Sequence, residues 1–270
     1  MNIRYIFKLQ NISYYADPMK IKIFYDRDVN ANAAHYYELA KECKSKVAGL
    51  EKAIQETEKE MKKASKKEKK LPRMKREKEW FEKFHHSFTY SGKLIIAGRS
   101  AQQNDQLFAK YMEPNDLFFH ADIQGGAATI LKDGADASEE EFKETAQIAA
   151  CFSKAWVNAN AAVDVYAVKK EQLSKHSTGG YIPTGAFAIS GERKWFRGTK
   201  LELRIGLSEG KLHLVSSNSK VKLDKELILI PSKTGKTKGA LAKSLAKRFN
   251  VHPDELLELL PNGKTKTKQK

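Results

Sequence analysis

Cysteine is scarce in this chain. Cys43 and Cys151 are the only two among 270 residues, and neither has a second cysteine at the spacing of a CxxC pair. That excludes a disulfide framework and a cysteine-built zinc site, and it makes a reducing cytoplasm the expected setting. Long apolar runs are missing too. None approaches the roughly 20 residues needed to cross a bilayer, and the opening stretch from Met1 to Asn11 lacks the apolar core of a signal peptide. No membrane partner is expected. Catalytic signatures are equally sparse. The glycine-rich stretch Thr178–Gly185 is not followed by the Lys-Ser/Thr of a phosphate-binding P-loop, and neither HExxH nor a nucleophile elbow occurs. The expectation is a protein that is not an enzyme and carries no cofactor or metal.

Acidic residues are the other shortage. Asp and Glu number 33 against 49 Lys and Arg, a net charge of +16. An excess of that size favours polyanionic partners. With 41% hydrophobic residues the chain can bury a sizeable core.

Five segments are expected. Residues 1–30 alternate around Ile21, Ile23 and Tyr25 as a strand segment. From about Ala31, apolar residues recur at spacings of four and three through Cys43, Val47, Leu50, Ile54, Thr57, Met61 and Ala64. Pro72 then suits the start of a second helix that carries Met74, Trp80 and Phe81 back towards the first. Residues 31–83 thus read as a short antiparallel coiled-coil hairpin with a basic tip of Lys62, Lys63, Lys66, Lys67, Lys69 and Lys70. Residues 84–232 mix strand and helix periods. A hairpin turns at Ser91-Gly92, and a helix is predicted over 101–112 behind Ser100. A capping box of Ser138 and Glu141 opens a helix predicted to run to about Asn158. Ser208-Glu209-Gly210 marks a second hairpin. Residues 233–262 hold two C-terminal helices, the first of them basic, and the lysine-rich tail 263–270 is expected to be disordered. The fold class is α+β, a mixed β-sheet with packed helices, preceded by the helical hairpin.

Three clusters bear on function. His120 and Asp122, two apart at a strand end, point the same way. They suit a metal or an acid–base pair, or else His120 bonds a loop and Asp122 caps the turn at Gln124-Gly125-Gly126. Around Arg99, Gln102, Gln103 and Asn104, a helix start beside a guanidinium makes a phosphate site. The same block also reads as an ordinary strand-to-helix turn with Asn104 facing solvent. The loop carrying Lys169, Gln172, Lys175, Tyr181 and Thr184 offers cations, glycines and a ring for base stacking. Next to it Arg193 and Lys194 alternate with aromatics, where Trp195 serves either RNA or the core.

These blocks resemble the NFACT-R domain, the RNA-binding module of the NFACT family. The resemblance rests on Gly98-Arg99 followed by Gln102-Gln103-Asn104 and on His120-Ala121-Asp122. It continues through Gln172, Lys175, Gly179 or Gly180, Tyr181, Thr184 and Gly185. Asn30-Ala31-Asn32-Ala33 followed by Tyr36-Tyr37 is similar to the entry of that family's coiled coil. The resemblance implies an RNA-binding role in ribosome-associated quality control. The implied partners are tRNA, large-subunit rRNA and the large ribosomal subunit, with the basic tip probing the subunit. It also implies a short form without the NFACT-N domain, where the family's tail-adding Asp-Arg pair lies. A separate NFACT-N protein is then a partner, tail addition by this chain alone is not expected, and a homodimer through the coiled coil is open. Two alternatives stand beside this reading: a metal-dependent RNA-processing enzyme using His120 and Asp122, and a coiled-coil adaptor protein.

Overall fold

The computed structural model describes residues 22–65, 77–176 and 182–269. The chain divides into two compact units, Met1–Lys70 and Leu71–Lys270.

The first unit holds one long helix, α1 (Val29–Ser65). Asp28 starts it, its Oδ1 accepting from Ala31 N at 2.7 Å. Asn32 then ties the preceding turn to the helix. Its Oδ1 accepts from Phe24 N, and its Nδ2 donates to the carbonyls of Phe24, Arg27 and Asp28, all within 3.1 Å. Residues 22–28 therefore form a knotted turn rather than a strand, and the rest of the predicted N-terminal strand lies outside the described residues. Val47, Leu50 and Ile54 of the heptad seam are exposed on α1. The predicted second arm, 72–83, is not a helix where it is described. Residues 77–79 are irregular, and Trp80–Lys83 make a single 3₁₀ turn.

The second unit begins with that turn. β1 (His85–Phe88) and β2 (Leu94–Ala97) form the first hairpin. α2 (Ala101–Gln106) continues as a π-helical turn over Leu107–Tyr111. β3 (Leu117–Ala121) and β4 (Thr129–Leu131) follow, then α3 (Glu139–Cys151) and α4 (Lys154–Val157). Next come β5 (Ala162–Lys169), β6 (Leu173–Ser174), β7 (Ala188–Ile189) and β8 (Lys194–Lys200). β9 (Leu203–Ser208), β10 (Lys211–Ser216) and β11 (Asp224–Lys236) build a further sheet. α5 (Lys238–Phe249), α6 (Pro253–Leu259) and β12 (Thr265–Lys268) close the unit.

The main sheet has six strands in the order β1-β2-β4-β3-β5-β8, and a four-stranded sheet has the order β10-β9-β11-β12. The α+β class is as expected. The strand pairs are all antiparallel rather than mixed among the described residues. Alternation along the strands explains the two cores. Ile95, Phe119 and Ala121 face α3 and the four-stranded sheet. Ile96, Phe118, Ile130, Tyr166 and Val168 face the π-turn and the β6–β7 loop.

Two expectations change. The helix predicted to reach Asn158 breaks at Ser153, whose Oγ accepts from Ala155 N at 3.1 Å and starts α4 afresh. The tail predicted to be disordered instead carries β12, paired with Ile228–Pro231. Its Thr-Lys alternation turns Thr265 inward while the lysines remain in solvent, and Thr265 Oγ1 accepts from the fully buried Trp156 Nε1 at 3.0 Å. Trp156→Ala therefore removes a core side chain and unties β12. A loss of about 3–5 kcal/mol is expected in urea unfolding, with Trp156→Phe falling in between.

Candidate nucleic-acid interface

The chemistry-bearing residues gather where β2 and β3 end and β1 and β4 begin. Gly98 makes the turn out of β2. A Cβ there would lie 2.1 Å from Asn104 Oδ1, so only glycine lets α2 approach this closely. Asn104 is 7% exposed, and its Oδ1 accepts from Ala128 N at 3.1 Å. It fixes the start of β4 instead of facing solvent. Ser100 caps α2 by accepting from Gln103 N. Gln103 accepts from Arg99 N at 2.9 Å and donates to Lys83 O at 3.2 Å. Arg99 Nη2 reaches the carbonyls of Glu82, Phe84 and Glu258 within 3.2 Å. Burial lowers its pKa, partly offset by Glu258. Arg99 and Gln103 are thus braces in the first place, while Gln102 is exposed.

The second cluster behaves similarly. Gln172 accepts from Lys169 N and donates to the carbonyls of Ser190 and Glu192. Lys175 pairs with Asp105, donates to Ala186 O and sits 4.3 Å from the Phe187 ring centre. Lys169 is exposed, 3.9 Å from Glu171. Lys194 pairs with Glu139 over Phe142. Thr184 is exposed beside the strand ends. Tyr181, Lys66, Lys67, Lys69 and Lys70 lie outside the described residues. Lys62 and Lys63 are in α1, with no side-chain placement described.

β3, β5 and β8 carry a feature that spacing along the chain hides. His120 pairs in register with Tyr166, and Tyr166 with Trp195. Their rings lie 5.8 and 5.5 Å apart. The guanidinium of Arg193 lies 4.8 Å from the Tyr166 ring and that of Arg197 lies 4.0 Å from Trp195. Arg197 is also bound to Asp164 at 2.6 Å, whereas Arg193 has no carboxylate partner among the described residues. Tyr166 was not singled out from sequence. The only trace there is its place in an alternating strand, because cross-strand neighbours depend on register.

His120 lies flat against Gly126, where a Cβ would come within 2.9 Å of Nε2. Burial lowers its pKa, and bonds to the backbone at Ala121 and Gly126 and the nearby Asp122 offset this only in part. Asp122 itself is exposed, with its N–H on Asp164 O. Among the described residues no three His, Cys, Asp or Glu gather to hold a metal. Arg99, Asn104, His120 and Thr184 line one cleft of about 580 Å³. Lys169, Gln172 and Lys194 line a separate one.

Tyr166 is buried at 8% exposure, while His120 and Trp195 on either side of it are partly exposed; partly exposed rings beside arginines have the chemistry of single-strand RNA readers. Residues 81–191 match the family model of the NFACT protein RNA binding domain, and this stretch of the chain belongs to that domain family. The chain is 36% identical over 200 residues to the archaeal Rqc2 homolog aRqcH of Methanocaldococcus jannaschii, covering 71% of this chain and 30% of that protein. It is 31% identical to the ribosome quality control complex subunit NEMF homolog of Drosophila melanogaster, over 66% of this chain and 19% of that one. With human ribosome quality control complex subunit NEMF it shares 32% identity, over 61% and 16%. The chain thus spans less than a third of the length of these relatives. A solved structure, the C-terminal part of the fibronectin/fibrinogen-binding protein from Streptococcus suis, aligns with a TM-score of 0.38 at 23% identity. It covers 63% of this chain and 76% of that one, a likeness too loose to build on.

The histidines give this site a pH signature. Burial, then Arg99, Lys238 and His86, hold His85 well below the ordinary histidine value, and His120 is lowered as well. Between those lowered values and about 6.5, the unfolded chain binds more protons than the folded one. The stability these neutral rings contribute is complete above about pH 6.5 and is lost as pH falls through that window. The urea midpoint is expected to drop from pH 7 to pH 5.5. In His85→Gln the drop should be visibly shallower, as read by denaturation at each pH.

Proposed function

We propose that this chain is a non-catalytic RNA-binding protein of ribosome-associated quality control that engages tRNA or rRNA on the large ribosomal subunit. The observation that carries the reading is the in-register row His120, Tyr166 and Trp195 with Arg193 laid over it. A guanidinium on an aromatic ring is a planar cation, which stacks on a base and meets phosphate at once. The named relatives belong to ribosome quality control, which supports the cellular setting. The braced state of Arg99, Gln103, Asn104 and Gln172 assigns them to shaping the surface, with Arg193, Lys169 and Gln102 as contact residues. For a metal-dependent enzyme built on His120 and Asp122, no third His, Cys, Asp or Glu gathers beside them among the described residues.

Binding to a tRNA is expected to weaken linearly in log affinity against log salt, by about 0.9 per phosphate neutralised. Arg193→Glu should weaken it about tenfold near 0.1 M salt and reduce the slope by one to two. A slope near zero in the parent protein would reject the reading. The exposed Val47, Leu50 and Ile54 of α1 favour a second reading for the first unit, two copies pairing through that stripe. Leu50→Asp should then convert a dimer to a monomer in analytical ultracentrifugation.

A further inference from the structure

The strand-end cleft is built differently from the other candidate surfaces. Its volume of about 580 Å³ is that of a small-molecule site, which typically runs about 300–1,000 Å³. No aspartate or glutamate lines it among the described residues, whereas the neighbouring cleft includes Asp116, Glu171 and Glu192. Phe118, Phe152 and Phe187 give it apolar walls. Two cations border it, Arg99 and Lys154. Lys154 is exposed with no carboxylate partner among the described residues, its methylenes lying over Gly125.

One wall holds an unmet polar group. His85 is 6% exposed, and its ring stacks on Phe152 at 4.1 Å. It donates to the Glu258 carbonyl, and its Nδ1 is buried with no hydrogen-bond partner. The bond to Glu258 fixes the proton on Nε2, so Nδ1 carries a lone pair. The surroundings of Arg99 and Lys238 keep it from protonating. A buried acceptor without a donor is unfavourable, and it leaves this wall with one unsatisfied polar atom just beneath its surface.

We propose that one unpaired nucleotide of the bound RNA leaves its stack and enters this cleft. Its base lies along the Phe152–His85 wall opposite Phe187, and its phosphate faces Lys154 and Arg99. Extrusion costs least for a base that is already unpaired, so the cleft selects bulges, loops and ends. The proposal rests on the RNA-binding reading and goes beyond it.

The test compares a flush RNA duplex with the same duplex carrying one bulged adenosine, at equal salt and with the whole chain. The bulged RNA is expected to bind at least about tenfold more tightly, a difference of the size of one well-stacked base. Val157→Trp fills the cleft mouth from a half-exposed position and should bring the affinity ratio close to one. If Val157→Trp fails to fold by circular dichroism, Thr184→Trp at another exposed rim position gives the same readout. Equal affinities in the parent protein, or a ratio untouched by the filled cleft, overturn the nucleotide cleft and leave RNA binding standing. Failure to bind either RNA overturns both.

Discussion

Both faces of the six-stranded sheet are covered. α3 and the four-stranded sheet press on one side, and the π-turn with the β6–β7 loop presses on the other. Backbone polar groups inside such a sheet are satisfied by the ladder, so side chains meant for a ligand have two ways out: the strand ends and the last strands towards the β8 edge. The chain uses both. His120 sits one residue before the end of β3, and the rings of Tyr166 and Trp195 continue its row towards the edge. Gly98 and Gly126 let α2 and the following loop close over the ends of the strands. The close approach at Gly98 holds Asn104 on Ala128, and Asn104 in turn sets where β4 begins.

Net charge is a poor guide to which cations are available. Lys175, Lys194, Arg197, Arg204 and Lys220 are each paired with a carboxylate, and Arg99 is held by three carbonyls. Exposed pairs contribute little to stability, but they remove a cation from the set that meets phosphate most cheaply. What remains near the rings is small: Arg193 over Tyr166, and Lys154 at the cleft. A basic composition attracts polyanions from a distance, and these two are cations near the rings and the cleft with no carboxylate partner among the described residues.

Local signals were legible in the sequence. The capping box at Ser138 and Glu141, the Ser100 cap, the turn at Gly92 and the hairpin at Glu209-Gly210 all depend on residues a few positions apart. The readings that changed depend on distant ones. The tail reads as disordered by composition, yet Thr265 finds Trp156 more than a hundred residues away. The helix to Asn158 continues by periodicity, yet Ser153 can restart it because Gly126 bridges there. Several motif residues make structural bonds that spacing did not reveal. Asn104 and Gln172 are conspicuous because their amides can donate and accept together, a property that suits a brace as well as a base. Tyr166 escaped notice because strand register, which puts it between His120 and Trp195, is not written in local spacing.

The domain match ends at residue 191, but the physics of the cleft does not. The Glu258 carbonyl at the end of α6 receives both Arg99 and His85. Asn262 lines the cleft and accepts from Lys238 at 3.1 Å. Lys238 in turn has a pKa lowered by burial and by Arg99, so three basic groups share one corner with carbonyl oxygens and amides as their near partners. Such a corner is tolerable because two of its members are held against oxygen atoms and the third is a histidine kept neutral by burial. The Glu258 carboxylate offsets part of the positive charge on Arg99. The segment from α5 to β12 therefore acts as the rear wall of the site, and an NFACT RNA-binding domain cut at residue 191 would lose that wall along with the packing of β12 on Trp156.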